Sequence, residues 1–281
     1  MSTPPVVLTI AGSDSIAGAG IQADLKTFAA HGVYGTSALA ALTAQNTQGV
    51  SRTLPVDPEM VAAQVAAVAD DVPIAAVKTG MLGTGSVVTA VVESVRRFAL
   101  PNLVVDPIVR SSSGAELLDV EGVALLRTAL LPLAAVVTPN WVEAEALTGI
   151  RVTSVADAHL AARALLDLGV AAVVVTGGHG TEDTIVDLLV TAAGAQEFRA
   201  PRVAGRSTHG TGCAFSAAIA ARLALGETLA DAVRLAQQYV GAAIRGGFDL
   251  GSGPHGPMNH LPPPVDGADA AHATRLRGGH R

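Results

Sequence analysis

The sequence predicts an α/β fold in which helices cover both faces of a largely parallel sheet. Short runs rich in β-branched residues alternate with longer segments of helical period, and most runs are continuously apolar, as strands buried on both faces are. No linker, repeat or low-complexity block divides residues 1–262, so they are predicted to form a single domain. Residues 263–281 have little apolar content and are predicted to form a flexible C-terminal tail.

Six apolar runs are the predicted strands. The runs are VVLTI (6–10), IAAVK (74–78), NLVVD (102–106), AAVVT (134–138), AAVVVT (171–176) and TIVDLLV (184–190). Their shortness and their content of β-branched residues favour strands over helix segments.

Two of the segments between these strands carry signals for helix ends. Residues 57–71 place Asp57 at the N-cap and Pro58 in the first turn. The mostly apolar stripe of this helix comprises Met60, Val61, Gln64, Val65 and Val68. Residues 154–169 have Ser154 as a cap and Gly169 as a C-terminal stop.

Composition and charge exclude several classes of partner. The net charge is −6, aromatic residues make up 3% of the chain and no basic cluster is present, which argues against nucleic acid. A single cysteine rules out an internal disulfide framework. No apolar run approaches the ~18 residues of a membrane span, and the N-terminal stretch lacks the charged segment of a secretory signal. The expected ligands are small molecules, and the expected location is the cytoplasm.

Several familiar catalytic motifs are absent from the sequence. The two lysines, Lys26 and Lys78, lie outside any GxxxxGK[ST] loop. No GxGxxG follows a strand, no GxSxG elbow occurs, and the histidines show neither HExxH nor zinc-ligand spacing. The remaining glycine-rich loops must therefore serve another chemistry.

Five loops rich in small, polar and glycine residues follow the predicted strands. They are AGSDSIAGAG (11–20), KTGMLGTG (78–85), DPIVRSSSG (106–114), TPNWVEAEAL (138–147) and TGGHG (176–180). In an open parallel sheet, ligands bind beyond the carboxyl ends of the strands. We therefore expect these loops to meet at one rim and to line a pocket.

The segment THGTGC, residues 208–213, leads into a segment of strong helix propensity. Gly210 and Gly212 let the backbone approach a ligand closely, and the free N–H groups and dipole of a helix N-terminus attract an anion. The same positive field is expected to lower the pKa of the Cys213 thiol. Two interpretations stay open from the residues alone: a catalytic thiol beside an anion, or a small buried cysteine after an ordinary turn.

Seven motifs between about residue 6 and residue 260 carry a family resemblance. In order they are AGSDSIAGAGIQADLKTF, ALTAQNTQGV, VKTGMLG, VVDPIV, TPNWVEAEAL, TGGH and STHGTGCAFSAAIAA. Together they resemble the hydroxymethylpyrimidine and phosphomethylpyrimidine kinases of thiamine biosynthesis, members of the ribokinase-like superfamily. The resemblance implies a three-layer αβα fold, a homodimer, and transfer of phosphate from ATP with Mg²⁺. In such enzymes the pyrimidine alcohol is phosphorylated first, and its monophosphate is then converted to the diphosphate.

The last glycine-rich motif carries the catalytic assignments that the resemblance implies. In the wider superfamily it ends in an aspartate that serves as a base, and in the pyrimidine kinases a cysteine stands there, which falls on Cys213. Gly210, Thr211 and Gly212 would form the anion hole for the transferring phosphate. Phosphoryl transfer is catalysed mainly by positioning and by donors aimed at spread negative charge, so such a loop suits the chemistry.

Three residues are assigned to the pyrimidine by the resemblance. Gln45 resembles the glutamine that reads the aminopyrimidine edge, since its amide offers both a donor and an acceptor. Asp24 and Met81 are expected to line the same pocket. Without the resemblance, Gln45 as an ordinary loop amide and Met81 as core filler remain open interpretations.

Five residues are assigned to the phosphate and nucleotide side. Asn140 and Glu143 resemble an NxxE motif that organises water and Mg²⁺, and Glu143 is expected to reach the metal through water; residues i and i+3 share one helix face. Asp106 is the expected third polar member, and Thr176 and Gly178 fall where the family contacts the nucleotide. Without the resemblance, Glu143 as a carboxylate favoured by the helix dipole and Asp106 as a turn residue remain open.

Two positions depart from the family pattern. Many relatives carry lysine in the loop after the DP motif and at the start of GGH, where this chain has Ser112 and Thr176. Arg110 lies close in sequence to the first gap and is a candidate to supply the missing charge. His209 and His179 are flanked by glycine, as loop histidines commonly are, and neither is assigned to catalysis.

Three other functions compete with this interpretation. A pyridoxine or pyridoxal kinase shares the superfamily architecture and a similar hydroxymethyl acceptor. A non-catalytic pyrimidine-binding descendant would keep the pocket without the chemistry. A cysteine-nucleophile hydrolase would need a histidine paired with Cys213, and only His209 is near it in sequence.

Overall fold

The computed structural model describes residues 3–110, 114–179 and 182–261, and within them one sheet is formed. Its strands are β1 (Val6–Ser13), β2 (Tyr34–Asn46), β3 (Gly49–Pro55), β4 (Ile74–Thr79), β5 (Leu103–Val105), β6 (Val136–Val137), β7 (Ala172–Val175), β8 (Thr184–Thr191) and β9 (Gly194–Pro201). The strand order is β3-β2-β1-β4-β5-β6-β7-β8-β9. The six neighbouring strands β2, β1, β4, β5, β6 and β7 are parallel. β3 pairs antiparallel with β2, and β8 pairs antiparallel with both β7 and β9. The predicted α/β class with a largely parallel sheet is confirmed.

Helices cover both faces of this sheet. They are α1 (Gly20–Ala30), α2 (Pro58–Ala69), α3 (Gly85–Arg97), α4 (Val120–Leu125), α5 (Trp141–Thr148), α6 (Val155–Leu166), α7 (Thr211–Ala224) and α8 (Leu229–Arg245). A hydrophobic cluster lies on each face of the sheet. Helices α1, α7 and α8 contribute to one cluster, and α2, α3, α5 and α6 contribute to the other. Neighbouring strand residues point to opposite faces. In β1, accordingly, Val7 belongs to the first cluster and Leu8 to the second.

All six predicted strands are present. The run 184–190 forms β8, which pairs antiparallel with both β7 and β9. The sequence patterns do not predict β2, β3 and β9. These three strands include many partly or fully exposed positions, so they lack the continuous apolar runs that mark the buried strands.

Both predicted helices form, as α2 and α6. Asp57 caps α2 by accepting a hydrogen bond of 2.9 Å from the Glu59 N–H, and Ser154 caps α6. Val61 of the predicted stripe is buried, but Met60 is 56% exposed. The inclusion of Met60 in the apolar stripe is therefore wrong, because the core-facing row of α2 follows the i, i+4 spacing from Val61.

The end of the chain lies outside the described residues. The flexible tail at 263–281 therefore stays a prediction, and so does the single domain that ends at residue 262. Among the helices of the described segments, none has the length and apolar character needed to cross a membrane.

Candidate active site

A cavity of about 1120 Å³ lies at the carboxyl ends of the parallel strands. Each of the five predicted loops contributes to its lining, for example through Gly12, Met81, Asp106, Asn140 and Thr176. Pockets for one small molecule usually enclose about 300–1,000 Å³. The cavity lies slightly above this range, and the predicted meeting of the loops is confirmed.

The start of α7 forms one side of this cavity. Gly210 is the N-cap residue and has a left-handed φ of 81°. A Cβ at this position would overlap the carbonyl oxygen of Gly18, so the close approach of the two loops requires glycine. No side chain caps the helix, and Gly210, Thr211 and Gly212 all line the cavity. The first turn of α7 thus presents backbone to the cavity in the arrangement that suits an anion.

Cys213, in the same turn of α7, is buried near charged side chains. Burial and the charges of Asp106 and Asp24 favour its protonated thiol, whereas the charge of Lys78 and the backbone of Gly20 favour the thiolate. Burial raises the pKa of the thiol to about 12, and the Lys78 charge opposes this effect only in part. The predicted lowering of this pKa is wrong, because desolvation outweighs the field of the helix. At neutral pH the thiol therefore keeps its proton.

A buried cation lies between two carboxyl groups at the base of the cavity. The Nζ atom of Lys78 is 2.9 Å from Oδ2 of Asp24 and 3.8 Å from Oδ2 of Asp106. Burial disfavours the charged ammonium, but the neighbouring Asp24, Cys213 and Asp106 more than offset it and raise the pKa of Lys78 above its ordinary value. We call Asp24, Lys78, Asp106 and Cys213 the floor cluster.

Asp24 does not line the cavity as predicted. Its side chain is fully buried and accepts hydrogen bonds from Thr9 Oγ1, at 2.6 Å, and from Lys78 Nζ. Lys78 lies between Asp24 and the cavity and lines the cavity in its place. The sequence patterns do not identify Lys78 as a site residue, although a lysine at the end of the apolar run IAAVK is a signal that could have found it.

Asn140 and Glu143 form a reciprocal cap at the start of α5. The Glu143 N–H donates to Asn140 Oδ1 at 3.0 Å, and the Asn140 N–H donates to Glu143 Oε2 at 2.9 Å. Burial, and then the nearby charge of Asp106, raise the pKa of Glu143 to about 8. Glu143 is therefore a helix cap and also a buried acid on the cavity wall; its role toward Mg²⁺ stays a prediction.

A separate wall contains the predicted pyrimidine residues. Gln45 lies on β2, so its interpretation as a loop amide is wrong; its Oε1 accepts from Thr43 Oγ1 at 3.3 Å. Its Nε2 is 3.3 Å from Nε2 of His209, which in turn lies 2.9 Å from Oδ2 of Asp14. Met81 is buried and lines the same cavity. We call Gln45, Met81, Asp14 and His209 the pyrimidine wall; the sequence patterns assign no role to its Asp14–His209 pair.

The loop after β7 joins the nucleotide residues to the cap of α5. Thr176 and Gly178 line the cavity, and the Thr176 N–H donates to the Pro139 carbonyl oxygen at 2.9 Å. Arg110 lies at the cavity edge, 3.6 Å from Glu116, with 61% of its side chain exposed. Ser112 lies outside the described residues.

Comparisons with known proteins identify the family of this chain. The family model described as phosphomethylpyrimidine kinase matches residues 14–259. A hydroxymethylpyrimidine/phosphomethylpyrimidine kinase of Streptomyces coelicolor is 47% identical over 258 residues, which cover 92% of this chain and 95% of that protein. A thiamine biosynthesis bifunctional protein of Geobacter sulfurreducens is 47% identical over 255 residues, or 91% of this chain. The chain spans only about half of that longer protein, 52% of its length.

A solved structure supports the same fold. The pyridoxal kinase of Bacillus subtilis, in complex with ADP, superposes with a TM-score of 0.86 at 38% identity, covering 92% of this chain and 98% of that chain. The expected three-layer αβα, ribokinase-like fold is confirmed. The motif order, the fold and the family match agree, and the chain belongs to the phosphomethylpyrimidine kinase family of phosphotransferases.

Proposed function

We propose that the chain transfers phosphate from ATP to 4-amino-5-hydroxymethyl-2-methylpyrimidine, and then to the resulting monophosphate, to supply the diphosphate for thiamine biosynthesis. One observation carries this proposal: a single cavity is lined by the Gln45 amide, the uncapped first turn of α7 and the buried charges of the floor cluster. The amide suits an aminopyrimidine edge, and the turn and charges suit a transferring phosphate.

The acids near the floor fit a hydrated Mg²⁺ ion. Glu143 is buried with a pKa raised to about 8, so a cation beside it would restore its charge. Mg²⁺ usually keeps several waters and binds one or two carboxylates together with nucleotide phosphates. No larger cage of His, Cys, Asp and Glu exists among the described residues. Glu143 would hold the ion through water, and the ion would neutralise charge on the phosphates of ATP.

The floor cluster offers a route for the proton of the substrate alcohol. When the alcohol oxygen bonds to the γ-phosphorus and the bond to the ADP oxygen breaks, the alcohol must lose its proton. We infer that this proton passes to the sulfur of Cys213 while the thiol proton passes to the carboxylate of Asp106, whose charge acts on the thiol and helps to raise its pKa. Cys213 thus serves as a base even though its resting thiol is protonated, and Lys78 lies 3.8 Å from the carboxylate that receives the proton.

The second phosphorylation makes a different demand on the same residues. The acceptor oxygen of the monophosphate is already ionised near neutral pH, so it needs no base. It needs instead positive charge and N–H donors to offset the repulsion between two phosphate groups. Cys213 is therefore required for the first step more than for the second.

Pyridoxal is a second candidate acceptor, since the solved structure with a TM-score of 0.86 is a pyridoxal kinase. ADP release measured in parallel with hydroxymethylpyrimidine, its monophosphate and pyridoxal tests the assignment. We expect turnover with both pyrimidines and a lower kcat/KM with pyridoxal. The reverse preference would assign the chain as a pyridoxal kinase, and no ADP release with any acceptor would indicate a non-catalytic descendant. The hydrolase alternative loses support because His209 pairs with Asp14.

We further propose a homodimer formed through the ribbon of β2 and β3. Leu42 and Leu54 are directly paired across this ribbon and are 42% and 57% exposed, and Tyr34 is also exposed. Exposed apolar side chains at a sheet edge favour association with another chain. Light scattering after size-exclusion chromatography is expected to give twice the chain mass, and a Leu42→Lys, Leu54→Lys variant is expected to give the monomer mass.

A further inference from the structure

The cavity extends beyond Gly178 to a region whose residues are given no role by the family resemblance. Its wall is mostly apolar, with Ile185, Val240 and Ile244 among the lining residues. The polar side chains of Asp187 and Gln237 interrupt this apolar wall, and Arg202, which donates a hydrogen bond of 3.0 Å to the Gly178 carbonyl oxygen, also lines the cavity. A site of this composition uses its apolar surface for contact area and its few polar atoms for selectivity.

Asp187 joins the two sides of this region. Its side chain is buried, and its Oδ1 accepts a hydrogen bond of 2.9 Å from the Gly177 N–H. Its Oδ2 accepts one of 2.8 Å from Nε2 of Gln237 on α8. A Cβ on Gly177 would overlap the carbonyl oxygen of Val186, so the loop after β7 also packs directly on β8. The carboxylate therefore ties the predicted nucleotide loop to helix α8.

The same contacts fix the orientation of the Gln237 carboxamide. Its Nε2 donates to Asp187 and also to the Phe198 carbonyl oxygen at 3.0 Å. A carbonyl oxygen only accepts hydrogen bonds, so the nitrogen and not the oxygen must occupy this position. Both amide hydrogens are then used. The Oε1 atom remains an acceptor without a hydrogen-bond partner among the described residues, on a side chain that lines the cavity.

We propose that Gln237 is a specificity-determining residue for the nucleotide, and that Asp187 is a positioning residue that presents the Gln237 oxygen to a donor group of adenosine. This inference rests on the proposed function, which places ATP in the cavity. Adenosine offers two kinds of donor, the 6-amino group of the base and the ribose hydroxyls. Val240 and Ile244 line the cavity on the same helix as Gln237 and suit the face of an aromatic ring, so we assign the 6-amino group.

A matched pair of variants tests the role of Gln237. Gln237→Met keeps the length of the side chain and removes the acceptor, whereas Gln238→Met makes the same change at an exposed neighbour that does not line the cavity. Titration calorimetry with ADP is expected to show a Kd raised roughly 2- to 10-fold by Gln237→Met, the scale of one hydrogen bond, and unchanged by Gln238→Met. Equal Kd values for the two variants would overturn the inference.

Two ADP analogues identify the donor. IDP lacks the 6-amino group, and 2′-deoxy-ADP lacks one ribose hydroxyl. We expect the wild type to prefer ADP over IDP and Gln237→Met to lose that preference. If Gln237→Met keeps the preference for ADP over IDP but loses the preference for ADP over 2′-deoxy-ADP, the assignment to the amino group is overturned and the ribose is the donor. A wild type that binds no ADP at all would overturn the proposed function itself, and with it this inference.

Asp187→Asn tests the positioning role separately. Asparagine has the same shape, but its NH₂ group would face either the Gly177 N–H or the Gln237 Nε2, so one hydrogen bond is lost. We expect a higher KM for ATP and a weaker preference for ADP over IDP, with kcat at saturating ATP and the KM for the pyrimidine unchanged. A variant that loses kcat and affinity for both substrates by similar factors would show a merely structural role. Normal nucleotide binding would also overturn the inference.

Discussion

The floor cluster and the pyrimidine wall border the same cavity but are built in opposite ways. The floor cluster is charged and deeply buried, with Lys78 and Asp24 fully excluded from solvent. The pyrimidine wall also contains the buried Asp14–His209 pair, but its proposed ligand contact is the neutral amide of Gln45, which lies half-buried near the end of β2. The floor thus has to stabilise its own charges before it can act on a ligand, whereas Gln45 carries no charge that needs a partner.

This difference implies a different relation between stability and activity in the two regions. Breaking a buried ion pair by removing one partner leaves an uncompensated charge in the protein interior, which is strongly destabilising. Removing a half-buried amide is less destabilising, because water can reach most of the groups that lose their partner. We therefore expect substitutions in the floor to change folding and catalysis together, and substitution of Gln45 to change binding alone.

Replacement of Lys78 by methionine is expected to have the largest effect on stability. It leaves the carboxyl groups of Asp24 and Asp106 without their cation, so we expect a loss of about 3–5 kcal/mol in the free energy of unfolding. The other lysine, Lys26, donates to the Ala17 carbonyl oxygen at an exposed position, and Lys26→Met serves as the control. Denaturant unfolding measures the free energy of unfolding of the two variants. Equal values would contradict the proposed difference between the floor cluster and the pyrimidine wall.

Glu143→Gln is expected to reduce metal-dependent turnover roughly 10- to 100-fold, the scale for residues that act on a metal through its outer shell. Glutamine can keep the hydrogen bond to the Asn140 N–H, so the cap of α5 survives while the charge is lost. Turnover across a Mg²⁺ titration, with pyrimidine affinity measured beside it, tests this role. An unchanged Mg²⁺ dependence would remove Glu143 from the phosphate side.

The same variant has a distinct pH signature. Burial and the charge of Asp106 raise the pKa of Glu143 from 4.5 to about 8. The unfolded chain therefore releases this proton at a lower pH than the folded chain, and the free energy of unfolding decreases as the pH rises between these values. We expect Glu143→Gln to lack this decrease. Parallel stability curves for the variant and the wild type from pH 5 to pH 8 would contradict the raised pKa.

Gln45→Leu is expected to have a smaller and more selective effect. The ring amine of the pyrimidine loses its partner, so binding is expected to weaken by roughly 1–3 kcal/mol while the free energy of unfolding stays close to that of the wild type. Titration calorimetry with the pyrimidine, combined with denaturant unfolding, separates the two quantities. Unchanged affinity would take Gln45 out of the site.

The sequence predicts the centre of the sheet better than its edges. The strands at the centre are buried on both faces, so their continuous apolar runs are visible without any tertiary information. β3 is exposed at most positions, and its residues pair only with β2. Its identity as a strand depends on that pairing, which a local pattern does not contain.

The candidate site likewise contains features that the sequence predicts and features that it does not. The loops could be predicted because each directly follows a strand. The ion pair of Lys78 with Asp24 joins residues 54 positions apart, and the contact of His209 with Asp14 joins residues 195 positions apart. The pKa of Cys213 was misjudged for the same reason, since the helix dipole is a local property and burial is a property of the whole fold.

Turnover of Cys213→Ser with two acceptors tests the central claim, that the floor cluster performs the proton transfer, most directly. Serine nearly preserves the volume of cysteine, but a hydroxyl is a much weaker acid than a thiol, so it gives up its own proton to the Asp106 carboxylate less readily. We expect turnover of the alcohol to fall by ~10²- to 10⁴-fold, the scale of general-base catalysis. Turnover of the monophosphate, which brings no proton to remove, is expected to fall much less, and both pyrimidines are expected to bind normally. Near-normal turnover of the alcohol, or an equal loss with both acceptors, would contradict the account and leave Cys213 as a packing residue of α7.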